Sequence, residues 1–138
     1  MYTGGTCIPF LLRWPAVVNP GVSNAFVCQM DLLASLAALV GETVSDKTDS
    51  QNTLPAFLGK SDRGREELVF EGYYNYAFRQ GDWVMIPPYP RHNLEYQLYN
   101  VKEDVGQTHN LAQKRPDILR SMMMRFEELK RTTGKMTN

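Results

Sequence analysis

The chain has 138 residues, of which 43% are hydrophobic and 22% charged, and its 15 basic and 15 acidic side chains give a formal net charge of zero. This composition is typical of a globular domain of ordinary size with enough apolar residues for a core. The balanced charge offers no basic footprint for nucleic acid, and the longest apolar stretch, residues 30–40, is too short to cross a membrane.

Residues 8–14 are predicted to form the first strand. They are apolar on both faces and end at Pro15, a pattern typical of a strand buried within a sheet. A turn at Asn19-Pro20-Gly21 follows, and a helix is predicted from about Cys28 to Val40. Because this part of the chain offers the strand no parallel neighbour, we expect it to be unable to bury the strand by itself.

The predicted helix has recognisable ends. Asp31 lies in its first turn, where a negative charge faces the positive end of the helix dipole, and Gly41 occupies the position just after the last turn. Its apolar residues recur at helical spacing: Leu33, Leu36, Ala37 and Val40. Polar surface loops are predicted at residues 42–53 and 60–67, on either side of a single helical turn at 54–59.

After residue 66 the hydrophobic period changes from helix to strand. Gln80-Gly81-Asp82 is predicted to be a hairpin turn, and the proline-rich residues 87–95 are predicted to be a loop. Four short segments rich in aromatic and β-branched residues are predicted as strands: residues 67–74, 76–80, 82–88 and 96–100.

The last element is predicted to be an amphipathic helix that begins at Pro116, a residue favoured at the first helical position. The three methionines at 122–124 cannot all face inward, so we expect them to divide between core and exposed flank. One apolar stripe runs along the helix: Ile118, Met122, Phe126 and Leu129, widened by Leu119.

These elements predict an α+β fold, in which a four-stranded antiparallel sheet packs on a C-terminal helix. A strand-helix segment precedes the sheet. We divide the chain into residues 1–60, which contain the strand-helix segment, and residues 61–138, which contain the sheet and the last helix.

Few residues suggest chemistry. His92 and His109 are far apart in sequence and lie in no metal-ligand spacing, no nucleophile elbow or glycine-rich phosphate loop occurs, and we predict no catalytic residue and no metal ligand. Cys7 and Cys28 are interpreted as two small buried residues, with a disulfide between them as the alternative.

The loop at residues 87–95 carries the predicted substrate-binding residues, Arg91 and His92. The chemistry of this loop would allow it to bind an anionic or sugar-like ligand. The alternative is a rigid, exposed connection.

Four segments resemble the C-terminal part of the type I sulfatases, the arylsulfatase family. Tyr2 to Pro15 is similar to the Tyr-Glu-Gly-Gly-x-Arg-x-Pro segment of that family, Cys28 to Gly41 to its Asp-led helix, and Ala77 to Ile86 to its arginine-glycine-tryptophan hairpin. The most specific match is Leu98 to Ala112, where the family carries Leu-Tyr-Asn-Leu, an acidic pair, Gly-Glu and Asn-Leu-Ala. The motifs occur in the order and spacing of the family and cover nearly the whole chain.

The resemblance implies a role in a sulfuric ester hydrolase whose first strand-helix segment belongs to a larger, alkaline-phosphatase-like α/β domain. In that family the formylglycine, the calcium-like divalent cation and the catalytic histidines lie upstream, and no formylglycine motif occurs in this sequence. The resemblance therefore implies a fragment that is inactive by itself. It also implies a sulfated small molecule or glycan as the substrate of the parent enzyme, and a periplasmic or extracellular location.

Two further expectations follow. The exposed edge of the strand at 8–14 predicts self-association of the isolated chain. Three positions also depart from the family pattern: Thr3 replaces Glu, Cys7 replaces Arg and Val84 replaces Lys. Because cysteine lacks the donors of arginine, these changes alter the polar packing around the first turn. The alternative function is a self-standing, non-catalytic binding or interaction domain.

Overall fold

The structure, a computed structural model, describes residues 2–72, 75–91 and 93–133. The chain divides into two compact units. The helical unit comprises residues 9–66, and the sheet unit comprises residues 1–8 together with residues 67–138. No helix in the described ranges is long and apolar enough to pass through a bilayer.

Two helices form the regular structure of the helical unit: α1, Asp31–Leu39, and α2, Leu54–Phe57. The helix α1 ends as predicted, because Gly41 has a positive φ of 80°. Its N–H donates to the Ala38 carbonyl, and the N–H of Glu42 donates to the Ala37 carbonyl. These two hydrogen bonds form a Schellman motif, in which glycine adopts the left-handed conformation that lets the last carbonyls of the helix be satisfied.

Residues 8–14 form neither a helix nor a strand, so the predicted first strand is wrong for this chain. A strand needs a neighbour to accept its backbone hydrogen bonds, and the described residues supply none to this segment. Its large apolar side chains are exposed instead: Ile8, Phe10, Leu11, Leu12 and Trp14.

The sheet unit contains four antiparallel strands in the order β1-β2-β3-β4, which confirms the predicted sheet. Their bounds are β1 Glu67–Glu71, β2 Tyr76–Gln80, β3 Trp83–Ile86 and β4 Gln97–Asn100. The hairpin between β2 and β3 turns at Gly81, whose φ is 56°. This conformation suits glycine at the first position of a two-residue hairpin loop.

The C-terminal helix α3, Pro116–Thr133, begins at the predicted proline and covers one face of the sheet. Met122 and Phe126 are buried and Met124 is exposed, which confirms the predicted division of the methionines. The core on this face consists of Phe78, Met85, Leu98, Met122 and Phe126, and the opposite face buries a second cluster, Ala77, Val84, Ile86 and Tyr99.

Candidate functional site

The loop between β3 and β4 carries the predicted substrate-binding residues and is closed by Asn93. The N–H of Tyr89 donates to the Asn93 carbonyl at 2.7 Å, and the N–H of Asn93 donates to the Tyr89 carbonyl at 2.9 Å. The side-chain amide of Asn93 also donates to the carbonyls of Pro87, at 3.1 Å, and Glu95, at 2.9 Å. These four bonds fix the base of the loop.

Arg91 lies in the turn at the tip of this loop and is exposed. His92, its predicted partner, lies outside the described residues. The closed base limits the positions that the tip can take, and Arg91 is exposed to solvent. Such a group can bind a carboxylate or sulfate oxygen through paired N–H donors.

The segment 98–112, which carries the most specific sequence match, closes the outer edge of the sheet. The Oδ1 atom of Asn110 accepts from the N–H of Leu98 at 3.0 Å and from the N–H of Ala112 at 3.0 Å. The N–H of Leu111 donates to the carbonyl of Leu98 at 2.7 Å. The Asn-Leu-Ala motif therefore satisfies backbone groups that β4 would otherwise leave open at the edge.

Asp104 organises the turn that follows β4. Its carboxylate accepts from the N–H of His109 at 2.8 Å and from the hydroxyl of Thr108 at 3.1 Å. Backbone hydrogen bonds from His109 and Thr108 to the charged form lower the pKa of Asp104. The N–H of Gln107 donates to the Asp104 carbonyl at 3.0 Å, and Gln107 itself takes a positive φ of 51°.

This turn brings together two segments that the sequence separates by about a hundred residues. The Oε1 atom of Gln107 accepts from the N–H of Thr3 at 2.6 Å and from its hydroxyl at 2.7 Å, and both residues are buried. Because the Thr3 N–H can only donate, the amide of Gln107 must keep its oxygen on this side. Its buried Nε2 has no hydrogen-bond partner among the described residues.

Sequence reasoning missed the bond between Thr3 and Gln107. The two residues are 104 positions apart in the sequence, and no local pattern links them.

Tyr2 strengthens the same contact. Its ring centroid lies 6.0 Å from that of Tyr99, and its hydroxyl donates to Oε1 of Gln97 at 3.2 Å. The pKa of Tyr99 is raised to about 12, mainly by burial and to a smaller extent by a hydrogen bond with the hydroxyl of Tyr2. The first residues of the chain are thus fixed on β4 and on the turn after it.

In the helical unit, a buried ion pair holds the start of α1. The Arg65 guanidinium donates through Nε to Oδ2 of Asp31 at 3.1 Å and through Nη2 to Oδ1 at 2.5 Å. Asp31 is fully buried and Arg65 is 8% exposed. The predicted exposed loop at 60–67 is therefore wrong at Arg65, whose Nη2 also donates to the Asp49 carbonyl at 2.6 Å.

The described residues do not fit the metal site of a hydrolase. They contain no group of three or more His, Cys, Asp or Glu side chains that could hold an ion. Cys7 and Cys28 are both free thiols, and Cys7 is exposed, so its predicted burial is wrong. The burial was expected beside a strand inside a sheet, and residues 8–14, which follow Cys7, form no strand.

Comparison with known proteins gives the family. No protein-family model matches the chain. The chain is 34% identical over 144 residues to the N-acetylgalactosamine-6-O-sulfatase of Bacteroides thetaiotaomicron, a match that covers 94% of the chain and 28% of that protein. It is 36% identical over 74 residues to human arylsulfatase A, covering 53% of the chain and 15% of that enzyme.

The solved structures agree. A structure from a Bacteroides thetaiotaomicron genetic locus for the metabolism of multiple glycosaminoglycans matches with a TM-score of 0.76 and 30% identity, over 86% of the chain and 28% of that structure. The chain belongs to the sulfatase family. A second structure, of a 2-O glycosaminoglycan sulfatase, shows the same fold with a TM-score of 0.60 over 76% of the chain and 25% of that structure, at 22% identity.

The resemblance predicted from the motifs is therefore confirmed, and so is the α+β sheet with its C-terminal helix. The chain spans about a quarter of the length of the bacterial sulfatase and about a seventh of the length of the human enzyme.

Proposed function

We propose that this chain is the C-terminal structural segment of a longer sulfuric ester hydrolase. The catalytic centre of that enzyme would lie in the polypeptide N-terminal to this segment. The observation that carries the proposal is the match to a sulfatase over 94% of this chain and 28% of that protein. The formylglycine and divalent cation that the family implies would supply the nucleophile and charge stabilisation from the remaining polypeptide. The role of this segment is to close the fold around that polypeptide.

The exposed apolar residues of segment 8–14 support a place inside a larger fold. A soluble domain rarely leaves a continuous run of large apolar side chains in water unless another surface covers them. Leu11 is 93% exposed and Ile8 is 61% exposed. We expect the remaining sulfatase polypeptide to cover this segment, and we expect isolated copies of the chain to associate through it.

The substrate class we propose is a sulfated sugar. Relatives of this chain bear the names N-acetylgalactosamine-6-O-sulfatase and 2-O glycosaminoglycan sulfatase. Arg91, on its closed loop, supports this class, because a guanidinium forms strong paired bonds to the carboxylate or sulfate groups of such sugars. Arg91 and His92 are thus proposed to line the substrate entrance.

The proposal is tested on the longer polypeptide that the open reading frame of this segment encodes. We expect it to release sulfate from sulfated N-acetylgalactosamine once its formylglycine is confirmed by mass spectrometry. A polypeptide that carries formylglycine and a divalent cation but releases no sulfate from aryl or sugar sulfates would contradict the proposed function.

The entrance role has its own test in the same polypeptide. Replacing both Arg91 and His92 by alanine should raise KM for the sugar sulfate about tenfold and leave the melting temperature unchanged, since a hydrogen bond to a charged group contributes about 1.5–3 kcal/mol. Lys102→Ala, which removes an exposed cation from the turn after β4, is the matched control. Equal KM values for the double variant and the wild type would remove the entrance role.

A further inference from the structure

The two edges of the four-stranded sheet differ in how their backbone groups are satisfied. The edge at β4 is closed, because the N–H of Leu98 donates to Oδ1 of Asn110 and the carbonyl of Leu98 accepts from the N–H of Leu111. The edge at β1 has no strand beside it among the residues that the structure describes. An open edge presents N–H and C=O groups on which another polypeptide can form a further strand.

The hairpin after β1 shows which backbone groups of this strand point outward. The N–H of Gly72 donates to the Asn75 carbonyl at 2.8 Å. Because hydrogen-bonded and non-hydrogen-bonded pairs alternate along an antiparallel ladder, every second residue of β1 turns its backbone away from β2. These outward residues are Glu67, Val69 and Glu71. Within the described ranges, their N–H and C=O groups have no backbone partner outside the sheet.

The exposure of the strands agrees with an open edge at β1. Phe78 in β2 and Met85 in β3 are completely buried. Every residue of β1 is half-buried or exposed, although β1 has the same number of residues as β2. A ligand that adds to the edge can therefore contact the side chains of β1 as well as its backbone.

The side chains on the α3 face of β1 give this edge a negative charge. Glu67, Val69 and Glu71 share that face, because side chains alternate along a strand. Arg125 of α3 compensates Glu67 through a bond of 2.6 Å from Nη2 to Oε1. Glu71 is exposed and accepts from the neutral hydroxyl of Tyr76 at 3.1 Å. The edge therefore carries one carboxylate that no cation among the described residues compensates.

We propose that the β1 edge binds an extended peptide segment of a partner protein, in which two basic side chains flank an apolar one on the same face. The segment would add a fifth strand antiparallel to β1 and bond to its outward backbone groups. Its basic side chains would lie opposite Glu67 and Glu71, and its apolar side chain opposite Val69. This role is separate from sulfate ester hydrolysis and needs no catalytic centre.

Charge favours a basic peptide over a second copy of this chain. Antiparallel pairing of two β1 strands centred on Val69 would place Glu67 directly opposite Glu71 of the second copy. Like charges in that position destabilise a pair of strands, whereas opposite charges stabilise it and select the partner.

The experiment titrates the longer polypeptide with the fluorescent peptide Lys-Thr-Val-Thr-Lys, blocked at both ends, and follows binding by anisotropy. One control peptide replaces both lysines by glutamate. The other carries an N-methylated valine, which cannot donate to the Val69 carbonyl. We expect the lysine peptide to bind at least about tenfold more tightly than either control.

Two further measurements locate the bound peptide. Glu71→Lys reverses the charge of the edge and should invert the order of affinity of the lysine and glutamate peptides. Glu103→Lys, at an exposed acid in the turn after β4, is the matched control and should leave that order unchanged. In the wild type, the N–H of Val69 should exchange with solvent at least about tenfold more slowly when the lysine peptide is bound.

Absence of binding, or equal affinities of the wild type for the lysine and glutamate peptides, would overturn the proposal. The comparison of peptides needs no variant, so it holds even if Glu71→Lys does not fold. Protection of the Val69 N–H that grows with protein concentration in the absence of peptide would also overturn the proposal, because the occupant would then be a second copy.

Discussion

Asp31 and Arg65 form a buried pair in which each charge depends on the other. Removing one partner leaves an uncompensated charge away from water, so Asp31→Ala should lower the free energy of unfolding by about 3–5 kcal/mol. Urea unfolding followed by circular dichroism measures this loss. The control is Asp117→Ala, which breaks an exposed pair with Arg115 in the first turn of α3 and should lower the free energy of unfolding by no more than about 1 kcal/mol. A loss below about 1 kcal/mol for Asp31→Ala would contradict the assignment.

Tyr99 gives the chain a predictable response to alkaline pH. Its pKa is about 12 in the folded state against an ordinary value of 10, because burial and the nearby Tyr2 hydroxyl disfavour the phenolate. A raised folded-state pKa contributes stability that is complete below pH 10 and is lost as the pH rises from there to about 12. Unfolding measured across this range should show the loss, and Tyr99→Phe should reduce it. An unchanged pH dependence in Tyr99→Phe would contradict this prediction.

Single residues also show where sequence reasoning stops. The position of Asp31 in the first turn was predictable from the helix signal, because capping and dipole effects are local. Its pairing with Arg65 was not, because residues 60–67 carry the polar composition of a surface loop and the contact depends on how that loop folds back. The bond between Thr3 and Gln107 joins residues too distant for any local signal.

At the scale of elements, α3 depends on its buried stripe. Phe126 packs against Tyr76 and Phe78, with ring centroids 6.0 Å and 6.1 Å away. Phe126→Ala should therefore lower the free energy of unfolding by about 3–5 kcal/mol, since it leaves a cavity among aromatic rings. Met124→Ala, at an exposed position of the same helix, is the control. Thermal or urea unfolding that shows a loss below about 1 kcal/mol for Phe126→Ala would mean that the stripe is not the anchor of α3.

The elements that sequence reasoning found are those whose signals are local and whose partners lie within this chain. The strands β1 to β4 alternate their side chains and pair with immediate neighbours, so period and turn residues were sufficient. The segment 8–14 has the composition of a buried strand but no partner among the described residues, and without one it forms no ladder. The composition of a segment indicates that it can form a β-strand, but the strand forms only where a neighbouring strand pairs with it.

At the scale of the whole molecule, the chain should associate with itself when isolated. Segment 8–14 leaves large apolar side chains in water, and a two-fold dimer is the commonest closed arrangement that buries such surfaces. Light scattering at several protein concentrations should show a mass that rises above 15.8 kDa. A monomer at every concentration would contradict the expected association.

We propose that this segment supports a catalytic centre located elsewhere in a longer polypeptide. The most direct test is one assay of aryl sulfate hydrolysis, run in parallel on the 138-residue chain and on the longer polypeptide, with the same divalent cation present. We expect turnover by the longer polypeptide and none by the 138-residue chain. Metal-dependent hydrolysis by the 138-residue chain would contradict it.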